Sequence, residues 1–251
     1  MKRFVLALAL LTLLAPPARA AGVNLAWNDC GTFGACNQSF ACDTNGPGVF
    51  TLVGSFVPPP GLSALIGEEI VLDLISQSAT LPDWWQLKNV GSCRMTALSA
   101  SADFTGGPVA CADYWAGQAQ GGVAAYRVGT AIGPSYPPNM VRVVMAFAIP
   151  AITDGSLDEY SEYYSFRLNI AKAKTVGTGA CAGCDVPLGF YFTRLKLVQP
   201  VGVGDYYIDQ PVSSAFAAWQ NGAFYSYDVL YSCLPVPARN KTWGALKSLY
   251  R

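Results

Sequence analysis

The clearest period along the chain is two. From Tyr163 to Ile170, the residues Tyr164, Phe166, Leu168 and Ile170 are apolar, and Ser165, Arg167 and Asn169 between them are polar. That alternation marks a strand with one face in a core and one in water. Phe50, Leu52 and Phe56 share one face of a run that Pro58-Pro59-Pro60-Gly61 ends, and Ile70, Leu72 and Leu74 share one face of Glu69 to Ile75. Met140 to Ile149 is nearly continuous in apolar character, which predicts a strand buried on both faces. In Phe190 to Val198 the phase slips near Thr193, which predicts a β-bulge. Weaker runs cover Val23 to Trp27, Met95 to Ala102, Val123 to Ile132, Asp205 to Asp209 and Ala223 to Ser232. Short helical turns are expected at Gly61–Ile66 and Ser213–Gln220. Roughly nine or ten strands separated by Gly- and Pro-rich turns predict an all-β fold. The expected architecture is an antiparallel β-sandwich, of jelly-roll or immunoglobulin/cohesin-like type.

The two ends read differently from the body. Lys2 and Arg3 precede an apolar run from Phe4 to Leu14, Pro16-Pro17 break it, and Ala18-Arg19-Ala20 has the small-x-small pattern of a cleavage site. Residues 1–20 are therefore expected to be a secretory signal peptide, too short to span a bilayer. Residues 21–234 form the expected sandwich. Residues 235–251 begin with Pro235-Val236-Pro237, a stiff spacer, and end in a short amphipathic tail. Thr242 can cap a helical turn there, with Trp243, Leu246 and Leu249 or Tyr250 on one face and Lys241, Lys247 and Arg251 supplying charge. The tail residues Trp243, Leu246, Tyr250 and Arg251 are candidate recognition positions.

Removal of residues 1–20 leaves 13 basic against 16 acidic residues. A nucleic-acid partner is not expected, because phosphate binding draws on a basic excess. All eight cysteines lie in the exported part, and an even count behind an export signal predicts disulfides in an oxidising compartment. Local loop closure suggests Cys30–Cys42, Cys93–Cys111 and Cys181–Cys184, which leaves Cys36 for Cys233. The chain contains no histidine. That removes serine triads, Cys–His pairs and His-based zinc sites together.

Four constellations remain as candidate chemistry. Glu68 and Glu69, with Asp158, Glu159 and Glu162, are the carboxylates available for glycoside hydrolysis, which needs two facing each other across roughly 5–9.5 Å. Asp154, Asp158 and Glu159 in the Asp154-Gly155-Ser156-Leu157-Asp158-Glu159 stretch are oxygen ligands for a possible calcium ion, without EF-hand spacing. Cys181-Ala182-Gly183-Cys184 has redox spacing, but glycines surround it and no helix start is signalled, so a structural clip is expected. Trp84, Trp85, Tyr114 and Trp115 are candidates for stacking on sugar rings; at least one of Trp84 and Trp85 is expected in the core, since neighbours in extended chain point opposite ways.

Gly22-Val23-Asn24-Leu25-Ala26-Trp27-Asn28-Asp29-Cys30-Gly31, Trp84-Trp85-Gln86-Leu87, Val176 to Cys184 and the Thr242–Arg251 tail resemble a group of secreted bacterial proteins to which no activity is assigned. The strand order, with an early Pro-Pro turn and a late Gly-rich Cys loop, is also similar in outline to cohesin-like and immunoglobulin-like sandwiches. The resemblance implies export and transfers no active-site residue. The expected function is non-enzymatic: adhesion, interaction or structure outside the cell or on its surface, with a protein or glycan partner and no transmembrane segment in the exported chain. A carbohydrate-binding module is the first alternative, and a carboxylate-dependent glycosidase the second.

Overall fold

A computed structural model describes residues 22–149, 157–209, 215–226, 229–231 and 233. The signal peptide, the Asp154 position, the Pro spacer and the Trp243–Arg251 tail lie outside the described residues. Within them the chain is built from thirteen strands: β1 Gly22–Trp27, β2 Asn37–Gln38, β3 Val49–Val57, β4 Gly67–Ser76, β5 Leu98–Ser101, β6 Gln120–Val128, β7 Met140–Ala148, β8 Tyr163–Ala171, β9 Leu188–Val198, β10 Tyr206–Asp209, β11 Phe216–Trp219, β12 Phe224–Ser226 and β13 Val229–Tyr231. The small sheet has the order β1-β3-β8-β5. The large one has the order β2-β11-β9-β4-β7-β6, with β10 also paired to β9. Pairing is antiparallel except between β2 and β11, and β12 and β13 form a separate hairpin. The all-β sandwich expected from the alternation is the fold observed.

Inward faces of both sheets meet in one core, with Val23, Leu25, Leu52, Leu168 and Ile170 from the small sheet against Ile70, Leu72, Val143, Phe190 and Phe192 from the large one. Met140–Ala148 departs from the expected double burial. Val141, Val143, Met145 and Phe147 are buried, while Arg142, Val144 and Ala146 are only half-covered, because the outer face of the large sheet meets water. Arg142 is held there by both carboxylate oxygens of Asp73, at 2.7 Å each, and this bidentate pair pushes its pKa up.

Bulges reset the phase of three strands. Arg194 pairs with Val71 and Phe192 with Leu72, so Thr193 is the extra residue where the sequence phase slips. Ala124 is extra in β6. Ser165 is extra in β8, since Gly54 pairs with Phe166 and Ser55 with Tyr164. This last bulge corrects the simple alternation. Tyr164 does not follow Phe166 inward; its ring stacks on Phe104 at 4.3 Å, in the loop after β5. Gly54 is required opposite the bulge, because a Cβ there would sit 2.2 Å from the Phe166 ring.

The expected helical turns are not formed. Residues 61–66 are irregular, and Phe216–Trp219, inside the Ser213–Gln220 run, is a strand paired to β9. Three-residue 3-10 turns occur instead at Gly31–Phe33, Asp83–Trp85 and Gly129–Ala131. The single strand expected over Ala223–Ser232 is a hairpin, Phe224–Ser226 with Val229–Tyr231.

The disulfides are Cys30–Cys111, Cys36–Cys233, Cys42–Cys184 and Cys93–Cys181. Only Cys36–Cys233 follows the local-closure expectation. The three short pairings fail because the sandwich brings loops far apart in sequence onto each other, at separations of 81, 142 and 88 residues. Cys181 and Cys184 are thus not bonded to each other; each anchors the Gly-rich loop to a different segment. No described cysteine is free, which leaves no thiol pair at this loop.

Candidate functional site

The outer face of the small sheet carries a cluster of polar groups covered by loops. Asn24 and Ser55 project there, out of phase with buried Val23, Leu25 and Phe56. Asn24 Nδ2 and Ser55 Oγ both donate to Glu162 Oε1, at 2.6 and 2.5 Å. Two loops fold over this layer. One is 28–36, after β1; the other is 103–116, after β5. Cys30–Cys111 joins them. The 157–162 segment reaches the same point, because the Ala112 amide donates to the Glu162 carbonyl at 2.9 Å. Gly31 is essential to the closure: it has φ +51°, and a Cβ would lie 2.6 Å from Glu162 Oε2. Tyr164 Oη donates to Asp29 at 2.8 Å and accepts from the Cys111 amide at 3.1 Å. Burial and the neighbouring Asp29 push that phenol up to about 12.

The loops that meet at this bridge hold Asp29, Asp103, Asp113, Asp158, Glu159 and Glu162, and segments 28–36, 103–116 and 157–162 contain no Lys or Arg. Arg167 of β8 reaches them from beneath, with its guanidinium 5.8 Å from the Phe104 ring centre. Each loop also exposes a large apolar side chain: Phe33 at 73%, Val109 at 89% and Tyr160 at 58%. Glu159 holds the exposed Tyr160 hydroxyl above the usual phenol range by hydrogen bonding. The result is an acidic surface tipped with apolar groups on a disulfide-fixed base, a combination suited to holding a cationic ligand with aromatic or aliphatic side chains.

The sugar-stacking candidates are placed elsewhere. Trp84 and Trp85 are 0% exposed and Trp115 is 1% exposed. Trp84 and Trp85 both turn inward because Asp83–Trp85 is a 3-10 turn and not extended chain. They join Trp27, Phe40, Phe50, Phe190 and Trp219 in one aromatic cluster, with Trp84 stacked on Trp219 at 5.3 Å. Arg94, itself buried, lies 3.5 Å over Trp84 and donates to the carbonyls of Trp84 and Ala171. Burial brings its pKa down to about 10. Trp115 Nε1 donates to the Ser165 carbonyl at 3.1 Å, and the half-buried Tyr114 packs its ring edge-on to Trp115 at 5.8 Å. The three tryptophans are core residues and offer no open ring face for a sugar; Tyr114 lies at the core's edge, with its hydroxyl donating to the Leu65 carbonyl at 2.5 Å.

The carboxylates expected for acid–base chemistry do not pair. Glu68 and Glu69 lie within β4 and point to opposite faces. Glu68 is buried between the sheets, where it accepts a hydrogen bond from the bulged Ser165. Its other oxygen has no partner among the described residues. Desolvation pushes this carboxyl up to about 8, so it is neutral at pH 7. Glu162 lies on the other face of the small sheet. Of the calcium candidates, Asp158 spends both oxygens on its own turn, accepting from the Tyr160 amide at 3.1 Å and the Ser161 hydroxyl at 2.6 Å. Those bonds hold its pKa below the usual carboxylate range. Cys30, Cys111 and Glu162 are close enough together to share a cation, but the two sulfurs are bonded to each other and present no thiolate.

Sequence reasoning missed Asp29, Phe33, Val109 and Tyr160 as site residues. The signal for Phe33 and Val109 is a lone large apolar residue inside a Gly-, Asp- and Cys-rich loop, as in Gly31-Thr32-Phe33-Gly34. No helix among the described residues is long and apolar enough to cross a membrane. No family model matches the chain, and neither the curated proteins nor the solved structures contain a match.

Proposed function

We propose that the chain is an exported, non-enzymatic binding domain that holds a cationic, partly apolar protein or peptide partner on the outer face of its small sheet. The observation that carries this reading is the surface around Cys30–Cys111, where exposed Phe33, Val109 and Tyr160 sit on loops with six carboxylates and no Lys or Arg. Electrostatic complementarity steers a basic partner to such a surface, and a central apolar contact retains it. Export is supported by four disulfides that join distant segments, which need an oxidising compartment to form. The absence of histidine and the placement of Glu68 and Glu162 on opposite faces of a sheet support a role without catalysis.

A peptide array spanning basic, acidic and neutral sequences tests the reading. Basic peptides with aromatic residues are expected to bind the folded protein, and the double variant Phe33→Ser/Glu159→Lys is expected to lose them. Preference for acidic peptides, or binding unchanged in the double variant, removes the surface from consideration. Turnover of polysaccharide, peptide or ester substrates by purified protein overturns the non-enzymatic part.

A further inference from the structure

We infer that Cys30, Cys111 and Glu162 form a redox-gated site for Zn²⁺ or a similar borderline-soft cation, closed while the two sulfurs are bonded to each other and open to metal once a small thiol has reduced them. Among the described residues, this is the only group of three cysteine or acidic side chains whose ligand atoms lie together, all within 4.8 Å. None of the other three disulfides has a carboxylate set against it in this way. The carboxylate is prepared for the role. Glu162 Oε1 is held from the sheet beneath by Asn24 Nδ2 at 2.6 Å and Ser55 Oγ at 2.5 Å. Its Oε2 accepts no hydrogen bond among the described residues and turns towards Gly31, the residue after Cys30, whose missing Cβ leaves it room. Donors that fix one oxygen and leave the other free orient a carboxylate for a metal.

The sulfurs keep their places when the bond between them opens, because other bonds tie both loops. Tyr164 Oη accepts from the Cys111 amide at 3.1 Å and donates to Asp29 Oδ1 at 2.8 Å, and the same oxygen accepts from the Cys30 amide at 2.8 Å. On the other side of Cys111, the Ala112 amide donates to the Glu162 carbonyl and the Ala112 carbonyl accepts from the Tyr164 amide. Two thiolates on a tetrahedral zinc stand about 3.8 Å apart, with metal–sulfur bonds of about 2.3 Å, so the freed sulfurs need only relax away from each other within the tied loops. Two thiolates and one carboxylate leave the fourth position to water. Thiolates select zinc over calcium and magnesium, which take oxygen ligands. The opening is an ordinary exchange. A low-molecular-weight thiol attacks the half-buried Cys111 sulfur, the bond to Cys30 breaks, and Cys30 leaves as thiolate. A second thiol resolves the mixed disulfide, which frees Cys111 and forms the small-molecule disulfide. Two thiols are oxidised, two cysteines are reduced, and metal binding sends the two cysteine protons to solvent. Metal and bridge exclude each other: zinc holds the pair open, and oxidation expels zinc. The site shares its base with the exposed apolar tips but does not depend on what they bind.

The test equilibrates the full chain in glutathione redox buffers, with free Zn²⁺ fixed by a chelator. Thiols are trapped with a maleimide at acid pH and mapped by mass spectrometry. Zinc is expected to lower the reducing ratio that opens half of Cys30–Cys111 by at least about tenfold, to leave the other three bridges unmoved, and to be without effect when replaced by Mg²⁺. Co²⁺ should give the sulfur-to-metal absorption of a tetrahedral thiolate centre in the reduced protein and none in the oxidised one. Glu162→Gln is expected to remove most of the zinc shift. Asn24→Ala keeps the carboxylate but frees its Oε1, and should weaken zinc binding by about tenfold. A zinc shift that is absent, that falls equally on all four bridges, or that is unchanged in Glu162→Gln overturns the proposal. So does loss of native near-ultraviolet dichroism when Cys30–Cys111 alone is opened, since the sulfurs would then not be held.

Discussion

Replacing Glu68 by glutamine should make the protein more stable at neutral and alkaline pH, and the size of the gain follows from where Glu68 sits. It lies between the sheets with one hydrogen bond, from Ser165, and with burial pushing its pKa from 4.5 to about 8. The unfolded chain releases this proton above about pH 4.5, while the folded chain keeps it to about pH 8. Between those values the native state binds more protons, so stability falls as pH rises. The stabilisation is complete below the lower value and gone above the upper one. At about 1.4 kcal/mol per unit, the loss is roughly 5 kcal/mol. The amide of the Glu68→Gln variant has a similar shape and no proton to lose. Urea unfolding of both proteins, with disulfides intact, from about pH 4 to about pH 9 isolates the difference, since all other titrating groups are shared. The two curves should run together below about pH 4.5 and separate to several kcal/mol by pH 8. Parallel curves across the range would refute a buried neutral carboxyl. Ser165→Ala provides a second reading: it removes the bond that favours the ionised form, and should carry the separation to higher pH.

Other outcomes can be checked directly. Proteolysis under non-reducing conditions followed by mass spectrometry should recover Cys30–Cys111, Cys36–Cys233, Cys42–Cys184 and Cys93–Cys181, and recovery of a Cys181–Cys184 peptide would contradict the topology. Trp219→Ala empties the centre of the aromatic cluster and should cost about 3–5 kcal/mol in denaturant, with loss of near-ultraviolet dichroism. Gly31→Ala places a methyl against the Glu162 carboxylate at positive φ and should lower Tm by several degrees; it should also expose 28–36 amides to hydrogen exchange. Trp84→Ala and Trp115→Ala should destabilise the fold without creating or abolishing selective binding on a glycan array.

The alternation of apolar and polar residues made the sandwich legible, because one buried face per strand forces period two. The bulge at Thr193 was legible for the same reason: a hydroxyl breaks the apolar series there. The bulge at Ser165 was not, since Tyr164 and Phe166 are both apolar and hide the change of face. Burial of both Trp84 and Trp85 escaped the reading because a 3-10 turn places adjacent side chains about 120° apart, and both can turn inward. The disulfide map was illegible beyond Cys36–Cys233. Pairing depends on which loops the sheets bring together, and short sequence separation carries no information about that. The acidic loops could be seen individually as Asp158, Glu159 and Glu162, but their convergence with Asp29 depends on Cys30–Cys111 and the fold of the small sheet.

The Cys36–Cys233 bond also decides how the molecule carries mechanical load. Tension applied at Gly22 and Cys233 would pass from residue 36 across the sulfurs to residue 233, bypassing β2 to β13. Among the described residues, only the stretch from Gly22 to Cys36 could peel away, a lengthening of about 50 Å at most. The strands between remain slack however hard the ends are pulled. A domain under such tension would then behave as a short inextensible link, keeping the strands between Cys36 and Cys233 folded under strain that would unravel an unbridged sheet.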